Sequence, residues 1–176
     1  MMKSGKTFCQ AILFLVFFTA TAINSFSQKS KKEQRDSATA AATRQMVEEQ
    51  RYHFNAETAY PPKGRMIQLS PGYTLKVSKD TVECDLPYFG RAYSGGFGST
   101  SDGGIKFTSV KFDYESKTGK KGGWIITIKP KDDVDAQQLL LNIYDNGTAS
   151  LNIISQNRQP ISYKGYIALL KSKEKK

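Results

Sequence analysis

Beyond Arg51 the chain alternates apolar and polar side chains with a period of two. Tyr52, Phe54 and Ala56 alternate with Arg51, His53, Asn55 and Glu57, the pattern of a strand with one buried face. Tyr60-Pro61-Pro62-Lys63-Gly64 ends that run, because proline cannot donate to a ladder. Met66–Leu69 and Tyr73–Val77 then flank Ser70-Pro71-Gly72, where proline fixes one φ and glycine accepts a positive one. After a turn at Lys79-Asp80, Thr81–Leu86 forms a strand with Val82, Cys84 and Leu86 on one side. Ile105–Tyr114 alternates again but slips phase near Ser109-Val110, which suggests a bulge. Lys117–Gly123 is a Gly/Lys turn, and Trp124–Ile128 returns as a strand before Pro130. Lys129–Gln138 reads as an acidic, helix-tolerant connection. Leu139–Tyr144 and Ala149–Ile154 flank Asp145-Asn146-Gly147, and Asn-Gly between apolar runs signals a type I′ hairpin. Ser162–Leu170 is the last strand.

Upstream the period changes. Ser37–Gln50 is rich in Ala, Gln, Glu and Met, residues that favour helix, with Asp36 or Ser37 placed to cap it. The prediction is a mainly β fold, bordering on α+β only through one N-terminal helix. Connections this short exclude parallel crossovers, so the sheet is an antiparallel meander of about eight strands. A sheet of that size hides both faces by curling or splitting, so it is barrel- or sandwich-like.

The first residues belong to no fold. Lys3 and Lys6 precede the short apolar run Ala11–Phe18, and Ser25-Phe26-Ser27 fits a small-x-small cleavage site before Gln28. That is a secretory signal peptide, and the apolar run is far short of the roughly 20 residues of a bilayer span. The expected organisation is a signal peptide over 1–27, a disordered linker over 28–36, one β-rich domain over 37–170 and a basic tail over 171–176. Expected localisation is therefore export, periplasmic or secreted, without stable membrane insertion after cleavage.

Charge and cysteine content refine this picture. The formal charge is +10. Lys29–Arg35 contributes four bases against Glu33, and Lys171–Lys176 four bases against Glu174. Basicity thus sits in the tails and not on a folded face, which argues against a nucleic-acid partner. Past the leader, Cys84 is the one thiol, so no internal disulfide framework is available.

Catalytic and metal chemistry have little material. Cys84 and the lone His53 could pair as a thiolate and its base, but each also fits a sheet position. Zinc needs more His or Cys than the chain offers. Asp132, Asp133 and Asp135 could approach calcium, yet EF-hand spacing is absent and a solvated acidic loop is the plainer reading. Gly95-Gly96-Phe97-Gly98 lacks the Lys and Ser/Thr of a P-loop. Asn146-Gly147-Thr148 matches a glycosylation acceptor, which the hairpin turn already explains. The expectation is a non-enzyme with no cofactor and no metal.

One stretch remains. Asp85–Gly98 packs Tyr88, Phe89, Arg91, Tyr93, Phe97 and four glycines between strands. Aromatics give flat apolar surface, Arg91 a planar donor fork, and glycines close backbone approach. Two readings stay open. Tyr88, Arg91, Tyr93 and Phe97 could contact a small or extended ligand. Alternatively the loop folds its aromatics over a sheet end while Arg91 bonds neighbouring carbonyls, and the domain is a structural or envelope-interaction module.

Leu86-Pro87-Tyr88-Phe89-Gly90-Arg91-Ala92-Tyr93, Gly103-Gly104-Ile105-Lys106-Phe107, Asn146-Gly147-Thr148-Ala149 and Arg158-Gln159-Pro160-Ile161-Ser162-Tyr163-Lys164-Gly165 resemble a secreted family of Gram-negative bacteria, domain of unknown function 4251. The resemblance covers about Val47 to Leu170. It implies an exported β-rich domain and assigns no activity.

Overall fold

A computed structural model of the chain describes residues 31–91, 103–119, 122–132 and 134–170. The chain divides into two compact units, Met1–Ala38 and Thr39–Lys176. In the first, the described residues 31–38 are helical and exposed. The second carries the rest of that helix, α1 (residues 31–48), and all ten strands. The helix therefore includes residues 31–36, expected as linker, and neither Asp36 nor Ser37 caps its start. Residues 1–27, expected as a signal peptide, and 171–176, expected as a basic tail, lie outside the described ones.

The helix ends in a Schellman motif. Gln50 adopts φ 50°, its amide bonds Val47 O at 3.2 Å, and the Arg51 amide bonds Met46 O at 3.0 Å. One left-handed residue thus satisfies two terminal carbonyls and turns the chain into the first strand. Within the second unit Thr43 and Val47 are buried, with Thr43 beside the Gly147 turn.

The strands are β1 (Tyr52–Tyr60), β2 (Ile67–Gln68), β3 (Thr74–Val77), β4 (Val82–Leu86), β5 (Ile105–Ser109), β6 (Phe112–Thr118), β7 (Trp124–Pro130), β8 (Ala136–Ile143), β9 (Thr148–Ser155) and β10 (Ile161–Leu169). Their order is β5-β4-β3-β1-β10-β9-β8-β7-β6, with β2 beside β1. Every pairing is antiparallel. This is the expected meander, with two strands more than the eight read from the sequence, and its first and last strands pair: β1 lies between β3 and β10, in the middle of the sheet. In the connection expected to tolerate helix, the described residues 131, 132, 134 and 135 are not helical.

Direction alternates along this order, so β5 and β6, its two edges, run the same way. Only Val110 and Lys111 separate them. They are two halves of one bent strand that leaves one edge of the sheet and arrives at the other. This bend is the phase slip seen in the sequence, and it nearly closes the sheet into a barrel. Its amides are held by one carboxylate: Asp132 Oδ2 accepts from Val110 N at 2.8 Å, Lys111 N at 3.0 Å and Ser109 Oγ at 2.9 Å.

Inward positions follow the alternation. Tyr52, Phe54, Leu75, Val77, Val82, Leu86, Ile126, Ile128, Leu139, Leu141, Leu151, Ile153 and Tyr163 are wholly inaccessible. The interior is therefore packed with side chains, as expected when burial and not cross-linking holds the fold. The Asn-Gly hairpin differs from expectation in turn type. Gly147 alone has positive φ, 80°. Its amide bonds Tyr144 O at 2.9 Å, and the Tyr144 amide bonds Thr148 O at 2.9 Å. That is a type I turn closed by a left-handed glycine, not type I′.

Candidate functional site

Residues 87–104 connect β4 to β5, two neighbours in the sheet. The two feet of this loop are described; residues 92–102 lie outside the described ones, and with them Tyr93 and Phe97. Pro87 ends β4, and its carbonyl accepts a 2.6 Å hydrogen bond from Tyr163 Oη of β10. Tyr88 Oη donates to the carbonyls of Arg91 at 3.0 Å and Gln159 at 3.1 Å. The Gln159 amide in turn bonds Arg91 O at 3.3 Å. This first foot is thus laced to the β9–β10 connection.

The second foot meets the same connection. Arg158 Nη1 donates to Gly103 O at 3.1 Å and Gly104 O at 3.0 Å. Its Nε lies 3.0 Å from Asp135 Oδ2, in a pair whose side chains are 12% and 21% exposed. The guanidinium also sits 5.2 Å above the Tyr88 ring centroid, within cation–π range. A planar fork with several donors can make all these contacts at once; an ammonium cannot. Gly104 fits because a Cβ there would meet Leu86 O at 2.9 Å.

The sequence-derived residues therefore separate. Tyr88 is half-buried, and both its ring and its hydroxyl contact the base of the loop. Arg91 is exposed and enters this network through its carbonyl. The carbonyl-bonding guanidinium is that of Arg158, not Arg91. Arg158 lies in the Arg-Gln-Pro segment that carried the family resemblance, but its chemistry depends on Asp135 and on carbonyls distant in sequence.

The other candidates are settled by register. Cys84 pairs with Leu75, which pairs with inward Phe54. His53 is one residue from Phe54, so its side chain leaves the opposite face of the sheet. Cys84 and His53 do not form a pair. Burial pushes the Cys84 thiol well above its ordinary range, which leaves it protonated and unreactive. Burial, then the Lys76 charge, lowers the His53 pKa. Burial likewise raises Tyr163 and Tyr52, and Tyr52 Oη lies 3.2 Å from Tyr114 Oη.

Asp132 is spent on the β5–β6 bend, and its pKa is lowered, first by the Lys111 amide and then by the Ser109 hydroxyl. Asp135 is engaged by Arg158, and Asp133 lies outside the described residues. Among the described residues no group of three or more His, Cys, Asp or Glu is placed to hold a metal. Asn146 Oδ1 accepts from Thr148 Oγ1 at 2.7 Å and Thr148 N at 3.0 Å, so its side chain closes its own turn. Among the described residues no helix is long and apolar enough to cross a membrane.

Fold and clamp together define a nearly closed antiparallel β-barrel domain that carries an aromatic loop tied down at both feet. The sequence matches the family described as Domain of unknown function (DUF4251) over residues 34–167, and the chain belongs to that family. The crystal structure of a DUF4251 family protein from Bacteroides eggerthii DSM 20697 is similar to it. The TM-score is 0.58, with 75% of this chain and 88% of that one covered at 13% identity. At that identity the likeness is one of fold. A search of curated proteins gives no match.

Proposed function

We propose that this is an exported, non-catalytic domain that binds a small or extended ligand on the loop between β4 and β5. The observation that carries the reading is the double anchoring of that loop. Adjacent antiparallel strands need only a tight turn, yet residues 87–104 intervene, and long connections inside compact domains usually serve function. In this reading Tyr88 anchors, while Arg91, Tyr93 and Phe97 reach the ligand. The packed interior supports an external contact surface. The leader-like residues 1–27 support export, and the packed barrel contributes the rigid base that a binding loop needs.

A second reading, a structural or envelope-interaction domain without small-molecule ligand, draws on the same packed interior and on the contacts that occupy Tyr88. Native mass spectrometry of the exported protein separates the two. The binding reading expects a co-purified small molecule that Arg91→Ala releases, while variant and parent melt alike once both are stripped of it. A bare protein, or a ligand indifferent to Arg91→Ala, refutes it. Cell fractionation with the mass of the mature chain tests export: a cytoplasmic protein retaining residues 1–27 would overturn it.

A further inference from the structure

Arg158 lies outside the aromatic block, yet it touches both feet of the β4–β5 loop. Its Nη1 holds the Gly103 and Gly104 carbonyls, its face covers the Tyr88 ring, and its Nε is fixed by Asp135. We infer that Arg158 is the positioning residue of this loop, a clamp that fixes the Tyr88–Arg91 foot and the Gly103–Gly104 foot in one relative arrangement. The inference deepens the binding reading, on which it rests for the identity of the contact surface; the clamp itself concerns the feet alone.

The physical case has three parts. First, the anchor is largely enclosed: the Arg158 and Asp135 side chains are 12% and 21% exposed, so water and salt screen the pair weakly. Second, the carboxylate meets Nε, both carbonyls meet Nη1 and the ring meets the face, so Asp135 orients the plane that the carbonyls and the ring then read. Third, Arg158 stands next to Gln159, whose amide and carbonyl engage Arg91 O and Tyr88 Oη. Loss of the clamp is therefore felt at both feet, while the ladder hydrogen bonds of β8 and β9 are untouched.

Amide hydrogen exchange on the full chain tests this, read at Gln159 for the first foot and at Ile105 for the second. Leu141 and Leu151 report the core. Arg158→Lys keeps the charge but loses the fork, and Asp135→Asn keeps the volume but loses the anchoring charge. Asp132→Asn is a control that weakens the β5–β6 bend without touching Arg158. Both test variants are expected to speed exchange at the feet about tenfold or more, with Leu141 and Leu151 unchanged, and the control is not. Unchanged feet, or feet and core accelerated by one common factor, overturn the inference. Should Arg158→Lys fail to fold, Asp135→Asn decides by the same criterion. Loosened feet with full retention of a co-purified molecule support the clamp and refute the loop as contact surface.

Discussion

Gly165→Ala isolates the join between first and last strands. Gly165 opposes Ala56 at the point where the β1–β10 register shifts. Its φ is not positive, so alanine meets no backbone strain there. On chain entropy alone the substitution would stabilise by about 0.4–1 kcal/mol. Space decides otherwise. A Cβ at this position would overlap the Asn55 carbonyl oxygen and lie 2.9 Å from Asn55 C and 3.2 Å from Ala56 Cα. These are backbone atoms, which cannot turn aside as a side chain would. Nor can either strand slide: β1 is also paired with β3, and β10 with β9. Overpacking that shifts backbone costs about 1–3 kcal/mol; taken at the upper end for a backbone overlap, and less the entropic gain, it leaves a net loss of about 2 kcal/mol. Urea unfolding followed by circular dichroism measures it, with a lower midpoint expected at unchanged slope. Gly147→Ala makes the comparison, since its left-handed backbone costs an alanine about 1–2 kcal/mol but the nearest atom, Thr43 Oγ1, is 3.6 Å away. A Gly165→Ala protein as stable as the parent, or more so, would refute the β1–β10 approach described here.

Three further outcomes are expected. Tyr163→Phe removes the 2.6 Å bond to the carbonyl of half-buried Pro87, at a cost of about 1 kcal/mol in chemical unfolding. Leu86→Ala opens the core, with Leu86 wholly inaccessible, and costs about 2–5 kcal/mol; Arg91→Ala, on the surface, stays within about 0.5 kcal/mol of the parent. Equal losses from that last pair would remove Arg91 as a ligand contact. Asp132 is the pH-dependent member of the set: its folded pKa lies below the ordinary value of 3.8. Its contribution is therefore complete above that value and is lost as pH falls through the lower folded pKa. Asp132→Asn should melt below the parent at about pH 7, and the gap should close in acid; a constant gap from neutral pH to pH ~2 would contradict this role.

Local chemistry made most of the fold legible. Alternation over Tyr52–Ala56, Val82–Leu86 and Leu139–Ile154 marks strands and their buried faces because side-chain direction is a property of single residues. The phase slip at Ser109-Val110 marked the bend. Closure of β10 onto β1 was not legible, since register between distant strands depends on packing across the whole barrel. The hairpin at Asn146-Gly147 was visible but its turn type was not, because the type I turn with a left-handed Gly147 draws on the same residues. At the site, Tyr88 and Arg91 drew attention as an aromatic beside a guanidinium. The structure gives the guanidinium role to Arg158, whose partners Asp135, Gly103 and Gly104 are brought to it only by the folded sheet. Likewise Asp132 reads as an acidic loop residue until Val110 and Lys111 turn their amides toward it.

The central claim is that the barrel is packed and that the proposed ligand contact lies outside it, at the clamped loop. Methyl and amide NMR of the chain from residue 28 onward, titrated with a small-molecule extract of the producing cell, tests it most directly. Shifts confined to Tyr88–Arg91, Gly103–Gly104 and Arg158–Gln159 are the expected result. Shifts centred on the inward side chains of Leu141, Leu151 and Ile153, with the loop feet unmoved, would contradict it.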